Sequence, residues 1–364
     1  MRWLLSSMRF KPATWLLHIA LAVILVGACV THFFGVQGDI HLRADQAETL
    51  NYQSPITNHQ SPITHHQSKI TLFLWDFRII NDADGNPVDF ISELRLLDRS
   101  QSSIINQQSA ITVDEGIVRM NKPLKYHGWR FCQSDYDSDQ AGVVLAYNYD
   151  PWGSGITYTG YALLLAGMIG FFFQKNTRFR VLLKKSVFGK RSGLAALAVI
   201  AILLAIVMTH VVTPKPPLQP VLQTPLLGIH VSVIMLAYTL FAIIAINGIV
   251  GLCSKRLSTT VFQLSAVLLY PALFCLTAGI FIGAVWANMS WGRYWGWDPK
   301  ETWALITMLV YALLLHFPWL KNKCKISDVK FQIYYHILSI VAFFFVLFTY
   351  FGVSYLLGGL HSYA

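Results

Sequence analysis

Apolar stretches long enough to cross a membrane alternate along most of this chain with short polar stretches that carry its basic residues. The first, residues 13–34 (ATWLLHIALAVILVGACVTHFF), holds about 22 residues, which as a helix span a hydrocarbon core of ~30 Å. Further runs at about 157–174, 193–212, 226–251, 261–285, 302–319 and 331–357 predict six more spans. Thr224 and Pro225 are the residue types expected at the N-cap and N1 of the fourth of the seven. Between the first two runs the period changes. TLFLWDFRII, FISELRLLD, ITVDEGIVRM, WRFCQSDYD and GVVLAYNY read as strands separated by turn signals such as DADGNP. The expected fold class is therefore a polytopic, all-α membrane helix bundle of about seven transmembrane helices with one small extracytoplasmic antiparallel β domain. The chain divides at 1–34 (N-terminus and first helix), 35–155 (β domain), 156–190 (second helix and basic loop) and 191–364 (the remaining bundle).

Composition places the chain in a membrane: 54% hydrophobic, 14% aromatic, 13% charged, with mean hydropathy +0.48. The net charge of +10 conceals a split. Residues 35–157 carry fifteen acids and nine bases, and the rest of the chain three acids and nineteen bases. Sixteen of those bases fall in four short segments on one side of the spans, seven of them in KNTRFRVLLKKSVFGKR, with Asp328 as the sole acid there. Basic residues concentrated in short loops mark the cytoplasmic side rather than a nucleic-acid surface. The expected location is the inner (cytoplasmic) membrane, multi-pass, with the N-terminus inside and the C-terminus outside. The first run is too long for a cleaved signal peptide. The five cysteines, Cys29, Cys132, Cys253, Cys275 and Cys324, form no CxxC pair and no metal-ligand spacing. The repeat QSPITNH-QSPITHH-QSKIT over residues 53–71 reads as an inert, flexible duplication, with His59, His65 and His66 lacking Cys or acidic partners for a metal.

The most unusual stretch is Trp286 to Trp303, WANMSWGRYWGWDPKETW, which holds five of the eleven tryptophans. An interfacial aromatic belt scatters such residues singly. Here Gly292 and Gly296 alternate with Trp291, Tyr294, Trp295 and Trp297, as in a segment lying close against a planar apolar ligand. Asp298, Pro299 and Glu301 also spell a capping box that opens the next helix, so the two carboxylates have either a structural role or a role at the ligand.

WGRYWGWDPKETWALIT resembles the WWD signature of the heme-handling proteins of cytochrome c maturation, closest to the CcsA (ResC) branch of System II. TPLLGIHVSVIMLAY and FGVSYLLGGLHSY match that branch in order, while HIALAVILVGACVTHFFG, GWRFCQSDYD and YDPWGSGITYTGY resemble its ResB (CcsB) partner. The chain is thus similar to a fused ResB–CcsA protein, with fewer helices and a smaller soluble domain in the ResB part. The resemblance implies heme b as cargo, carried across the membrane and joined by thioether bonds to the CxxCH cysteines of apocytochrome c (holocytochrome c synthase activity). It implies His230 and His361 as the outer heme ligands beside the WWD segment, with Asp298 inside that signature. Thiol-reducing proteins and a separate ResB-like subunit are the further partners expected.

Depth sorts the remaining histidines. His18 and His336 each lie about five residues into a helix that starts inside, or ~8 Å deep at ~1.5 Å per residue. Ionisable residues within spans are costly and suggest function. The two are either one iron-ligating pair or two separate core histidines, and depth alone leaves both open; the resemblance favours the pair, with His316 as the rival inner ligand. Arg293 or Lys300 is a candidate partner for a heme propionate. Two other readings stand beside heme export and ligation. One is a heme-binding chaperone or scaffold without ligation activity. The other is a small-molecule transporter, against which no repeat of spans and no acid within a span is found.

Overall fold

The computed structural model describes residues 11–44, 46–51, 67–98, 112–175, 177–185 and 220–357, with Ile202 and Ile206. Apart from Ile202 and Ile206, the run predicted as a span at 193–212 lies outside the described residues, as do residues 53–66 of the repeat and His361. Among the described residues, six helices are long and apolar enough to cross a membrane. They are α1 (Pro12–Phe34), α2 (Gly153–Phe173), α4 (Pro225–Cys253), α5 (Lys255–Ser290), α6 (Pro299–Cys324) and α7 (Asp328–Leu347), with α7 prolonged by a π turn at Phe348–Gly352 and a last helical turn at Val353–Leu356. A short helix, α3 (Arg178–Lys185), forms inside the predicted basic loop. Its RFRVLLKK spacing buries Phe179 while Arg178 and Val181 stay exposed, a one-sided pattern that stabilises a surface turn of helix.

The β domain is two antiparallel four-stranded sheets. One has the order β1 (Val36–Arg43), β8 (Gly142–Tyr149), β7 (Trp129–Tyr136), β6 (Leu124–Tyr126). The other has the order β2 (Ala47–Asn51), β3 (Gln67–Asn81), β4 (Pro87–Asp98), β5 (Thr112–Arg119). Alternation drives the packing: Phe90, Ser92, Leu94 and Leu96 of β4 are buried, and Glu93 and Arg95 face out. Leu42, Leu72, Leu96, Phe131 and Leu145 close one core between the sheets. Strand β1 escaped the sequence reading although Val36, Ile40 and Leu42 alternate inward, because Gly38 and Asp39 break the apolar count. Its register, Ile40 opposite Leu145, ties the exit of α1 to the strand that leads into α2.

The helices meet through small residues. A Cβ at Gly27 of α1 would collide with Thr157 of α2, and one at Gly160 with Ile24. In the main bundle Phe241 of α4 stacks on Tyr311 of α6 with ring centres 3.6 Å apart, among Leu240, Ile244, Leu268 and Leu276. Without a hydrophobic drive between helices in lipid, such close backbone approach supplies much of the association energy. Gly27→Leu should therefore lower the stability of the purified protein by about 1–3 kcal/mol, as overpacking does. Gly155→Ala, where a Cβ meets open space, should leave it equal or up to about 1 kcal/mol higher. Thermal unfolding of the two variants in one detergent checks the contrast, and equal midpoints would refute the packing account.

Candidate functional site

The tryptophan-rich stretch begins as helix. Residues 286–290 complete α5, and the chain then turns through Trp291–Asp298 before α6 starts at Pro299. The turn uses two left-handed residues, Gly292 at φ 74° and Trp297 at φ 55°. The first is glycine's ordinary use; the second is strained, at about 1–3 kcal/mol for such a residue, and strain of this kind gathers at functional sites. The carboxylates make the capping box. Asp298 Oδ2 accepts from the Lys300 amide at 3.0 Å, and Glu301 Oε2 accepts from the amides of Asp298 at 3.2 Å and Gly296 at 2.8 Å. Both acids are occupied in opening α6.

Three parts of the chain clamp this turn. From the β domain, Asn121 accepts from Ser290 Oγ at 2.5 Å and donates to the carbonyls of Pro220 and Val221. Gly292 lies on Cys132 of β7, where a Cβ would approach Sγ at 3.1 Å. From α2, Tyr158 meets Asn288. At the centre is Tyr294, 7% exposed. Thr157 Oγ1 donates to its hydroxyl at 3.2 Å, and Thr31 Oγ1, 2.5 Å from that hydroxyl, donates onward to Asp150 Oδ2 at 2.8 Å. Since Thr31 spends its proton on Asp150, Tyr294 donates to Thr31, and the chain of bonds runs one way: Thr157, Tyr294, Thr31, Asp150. Asp150 also accepts from the Gly153 amide and Ser154 Oγ. Burial holds the Tyr294 phenol above its usual range, so it stays a donor. Sequence reading assigned Gly292 and Tyr294 to a ligand face; the structure uses both for packing. It missed Thr31, Asp150 and Thr157, although Asp150 sits in the quoted YDPWGSG motif.

What the turn presents outward is Trp297, 71% exposed, with Trp295 half-buried beside it and their rings edge to face at 5.8 Å. Trp291 instead packs edge to face on buried Trp286, and Gly296 lies under the Arg293 side chain. Lys300 donates to Ser354 at 2.8 Å, so of the two basic candidates its amine is already engaged.

At the same end of the bundle, His230 of α4 points its Nδ1 at the Gly279 carbonyl of α5, 2.8 Å away. A carbonyl can only accept, so Nδ1 carries the proton and Nε2 is the basic nitrogen of the neutral ring. Gly283, one turn on, makes the space: a Cβ there would strike the imidazole. At the opposite end, the expected pairing of His18 with His336 is not what the fold brings together. His18 faces His316, ring centres 6.4 Å apart and perpendicular. Each holds its Nδ1 to its own i−4 carbonyl, Thr14 at 2.7 Å and Ala312 at 2.8 Å, and each ring is exposed on the bundle surface. His336 is 1% exposed, 3.2 Å from Ser258 Oγ and packed beneath Gly251. Equal depth did not determine azimuth: α7 turns His336 into the α4–α5 seam, whereas α1 and α6 turn His18 and His316 toward each other.

Residues 156–361 match the family described as Cytochrome C assembly protein, more than half of the chain. The chain belongs to the cytochrome c assembly protein family. Residues 12–151 match the ResB-like family, so a ResB-like part is fused to the assembly part, and the two matches meet at the Asp150 cluster that opens α2. Protein NrfI of Wolinella succinogenes is 40% identical over 168 residues, 43% of this chain and 18% of the relative. The cytochrome c biogenesis protein CcsA of Chlamydomonas reinhardtii is 37% identical over 158 residues, 40% of this chain and 43% of the relative. Its namesake in Arabidopsis thaliana is 47% identical over 88 residues, 24% of this chain and 25% of the relative. The chain spans less than half the length of each of these relatives.

Two outcomes follow for the clamp of this family member. Tyr294→Phe should cost about 1–3 kcal/mol, because it strips the middle link from buried partners; a cost under a few tenths in thermal unfolding would show that the link is idle. Cys132, which burial pushes up to about 11 against the pull of Arg130, should be roughly one part in a thousand thiolate at pH 8. Its alkylation by iodoacetamide, followed by mass spectrometry, should rise about tenfold per pH unit up to that value, and fast labelling at pH 8 would mean that Gly292 does not cover it.

Proposed function

We propose that this protein takes up heme as cargo, moves it across the membrane and presents it at the tryptophan-rich turn for attachment to the CxxCH cysteines of apocytochrome c. The observation that carries the reading is the turn itself: an exposed Trp297 held in strained backbone beside Trp295, on a member of the cytochrome c assembly family, at the bundle end where His230 keeps Nε2 basic. A flat apolar macrocycle with a central iron asks for aromatic area and a neutral imidazole. His230 supplies the ligand from the fold, Trp297 and Trp295 the stacking area, Arg293 a charge for a propionate, and His361 is the second outer ligand. The carbonyl behind His230 fixes ring orientation, as the outer partners of metal-bound histidines do.

For the other end of the path the ligands are His18 and His316 rather than His18 and His336. Two imidazoles that share one metal through nitrogens at about 2.0–2.1 Å have ring centres roughly 6 Å apart, close to the observed separation. Attachment adds each cysteine S–H across a vinyl C=C, forming C–S at one carbon and C–H at the other with no net redox change. The protein's contribution is to hold the reactants together rather than to move protons. In the cell this places the protein in the cytoplasmic membrane with the turn on the outer face, the orientation that puts Arg178, Arg180, Lys255 and Lys323 inside.

The visible spectrum of the purified protein tests this. A Soret band with low-spin α and β bands is expected, lost in large part on His230→Ala, His361→Ala, His18→Ala or His316→Ala, and kept on His336→Ala. A colourless protein from heme-replete cells would end the heme reading. Loss on His336→Ala with none on His316→Ala would restore the other pairing. Thioether formation on a CxxCH peptide by the heme-loaded protein separates synthase from scaffold.

A further inference from the structure

At the bundle end opposite the tryptophan-rich turn, a cavity of about 490 Å³ opens between α3, α5, α6 and α7. Its walls are flat and apolar, from Phe262, Trp319 and Phe331, and its rim carries Arg178, Asp328 and Gln332. A second, far smaller pocket shares Arg178, Phe262 and Pro318 as walls and is lined further by Tyr270 and Tyr335. Tyr335 is 2% exposed there, and its hydroxyl has no hydrogen-bond partner among the described residues. A buried polar group left in this way costs about 1–3 kcal/mol, and such groups usually mark a ligand or a strained functional site. The Gln332 oxygen is taken by Ser258 and Thr259, so the capacity left on that side chain is its N–H donors. Asp328 stands in the first turn of α7, where the helix dipole favours an acid. Pro318 lacks the N–H that would bond the Leu314 carbonyl, which loosens α6 where it borders the cavity.

We propose that this cavity is a binding site for a planar aromatic carboxylate of porphyrin size, received at this face before it reaches the histidines. The volume falls within the roughly 300–1,000 Å³ of small-molecule sites. Three aromatic walls and one proline match a flat ring better than a lipid tail, and the Arg178 guanidinium offers a planar fork to a carboxylate. Gln332 adds N–H donors that an anion satisfies. His18 and His316 are not among the residues lining it, although His316 lies two residues before Pro318 on α6. The choice of a porphyrin rests on the heme reading above; the cavity and its chemistry do not.

The test titrates metal-free protoporphyrin into the full chain in phosphatidylcholine nanodiscs, with empty nanodiscs subtracted, and follows porphyrin fluorescence anisotropy. Saturable one-site binding is expected, weakened about tenfold or more by Arg178→Gln, because a charge-assisted bond is lost. The porphyrin dimethyl ester should bind the unaltered protein as weakly as the acid binds Arg178→Gln. With no iron to ligate, binding should not depend on His18 or His316. Equal affinity for acid and ester overturns the proposal, as does unchanged affinity in an Arg178→Gln protein that elutes and melts like the original. Full displacement by oleate at equal affinity overturns it in favour of a lipid-carboxylate site. If Arg178→Gln binds normally while the Soret band still answers to His230 and His316, this inference fails alone. If the cavity binds porphyrin as described but the protein never carries heme, the functional reading fails and the site stands.

Discussion

A single hydroxyl joins the two parts of this molecule. Tyr294 receives from Thr157 and gives to Thr31, which gives to Asp150, so the tryptophan-rich turn, the start of α2, the end of α1 and the last residue before the α2 turn share one directed chain of bonds. Inside a low-dielectric interface such a chain strengthens itself and tolerates no gap. The ResB-like part is therefore no passive appendage: with Cys132 under Gly292 and Asn121 on Ser290, it is the wall against which the turn is set.

That wall explains how an aromatic segment at a membrane surface can hold a strained residue outward. Four of the segment's aromatic rings, Trp286, Trp291, Tyr294 and Trp303, are used inward, on each other, on the threonine pair or on Phe348. Trp297 is left exposed because both of its neighbouring turns are fixed, one by Gly292 on the β domain and one by the Asp298–Glu301 cap. The fixed turns on both sides hold the exposed ring in one orientation.

Close approach between helices organises the rest. Gly283 of α5 admits the His230 ring and Gly279 lends it a carbonyl, while Gly251 of α4 covers His336. Histidines of the same residue type thus receive different roles from what faces them. His230, His18 and His316 each keep Nδ1 on a backbone carbonyl, whereas His336 is sealed against Ser258.

Much of this was legible in the amino-acid order. Spans are readable because lipid demands long uninterrupted apolar runs, and the six described ones begin and end within a few residues of the reading, Thr224 capping α4 as its residue type implied. The β domain followed from period and turn residues, and the family from the tryptophan-rich motif. The cap of Asp298 and Glu301 was one of two roles legible in their order, because capping is local, decided within four residues. The sequence could not place side chains around helix axes that it does not relate to one another. Depth follows from counting residues along one helix; azimuth follows from how separate helices pack. That is why His18 finds His316 and not His336, why Gly292 and Tyr294 serve the seam, and why Thr31 and Thr157, 126 residues apart, meet on one phenol.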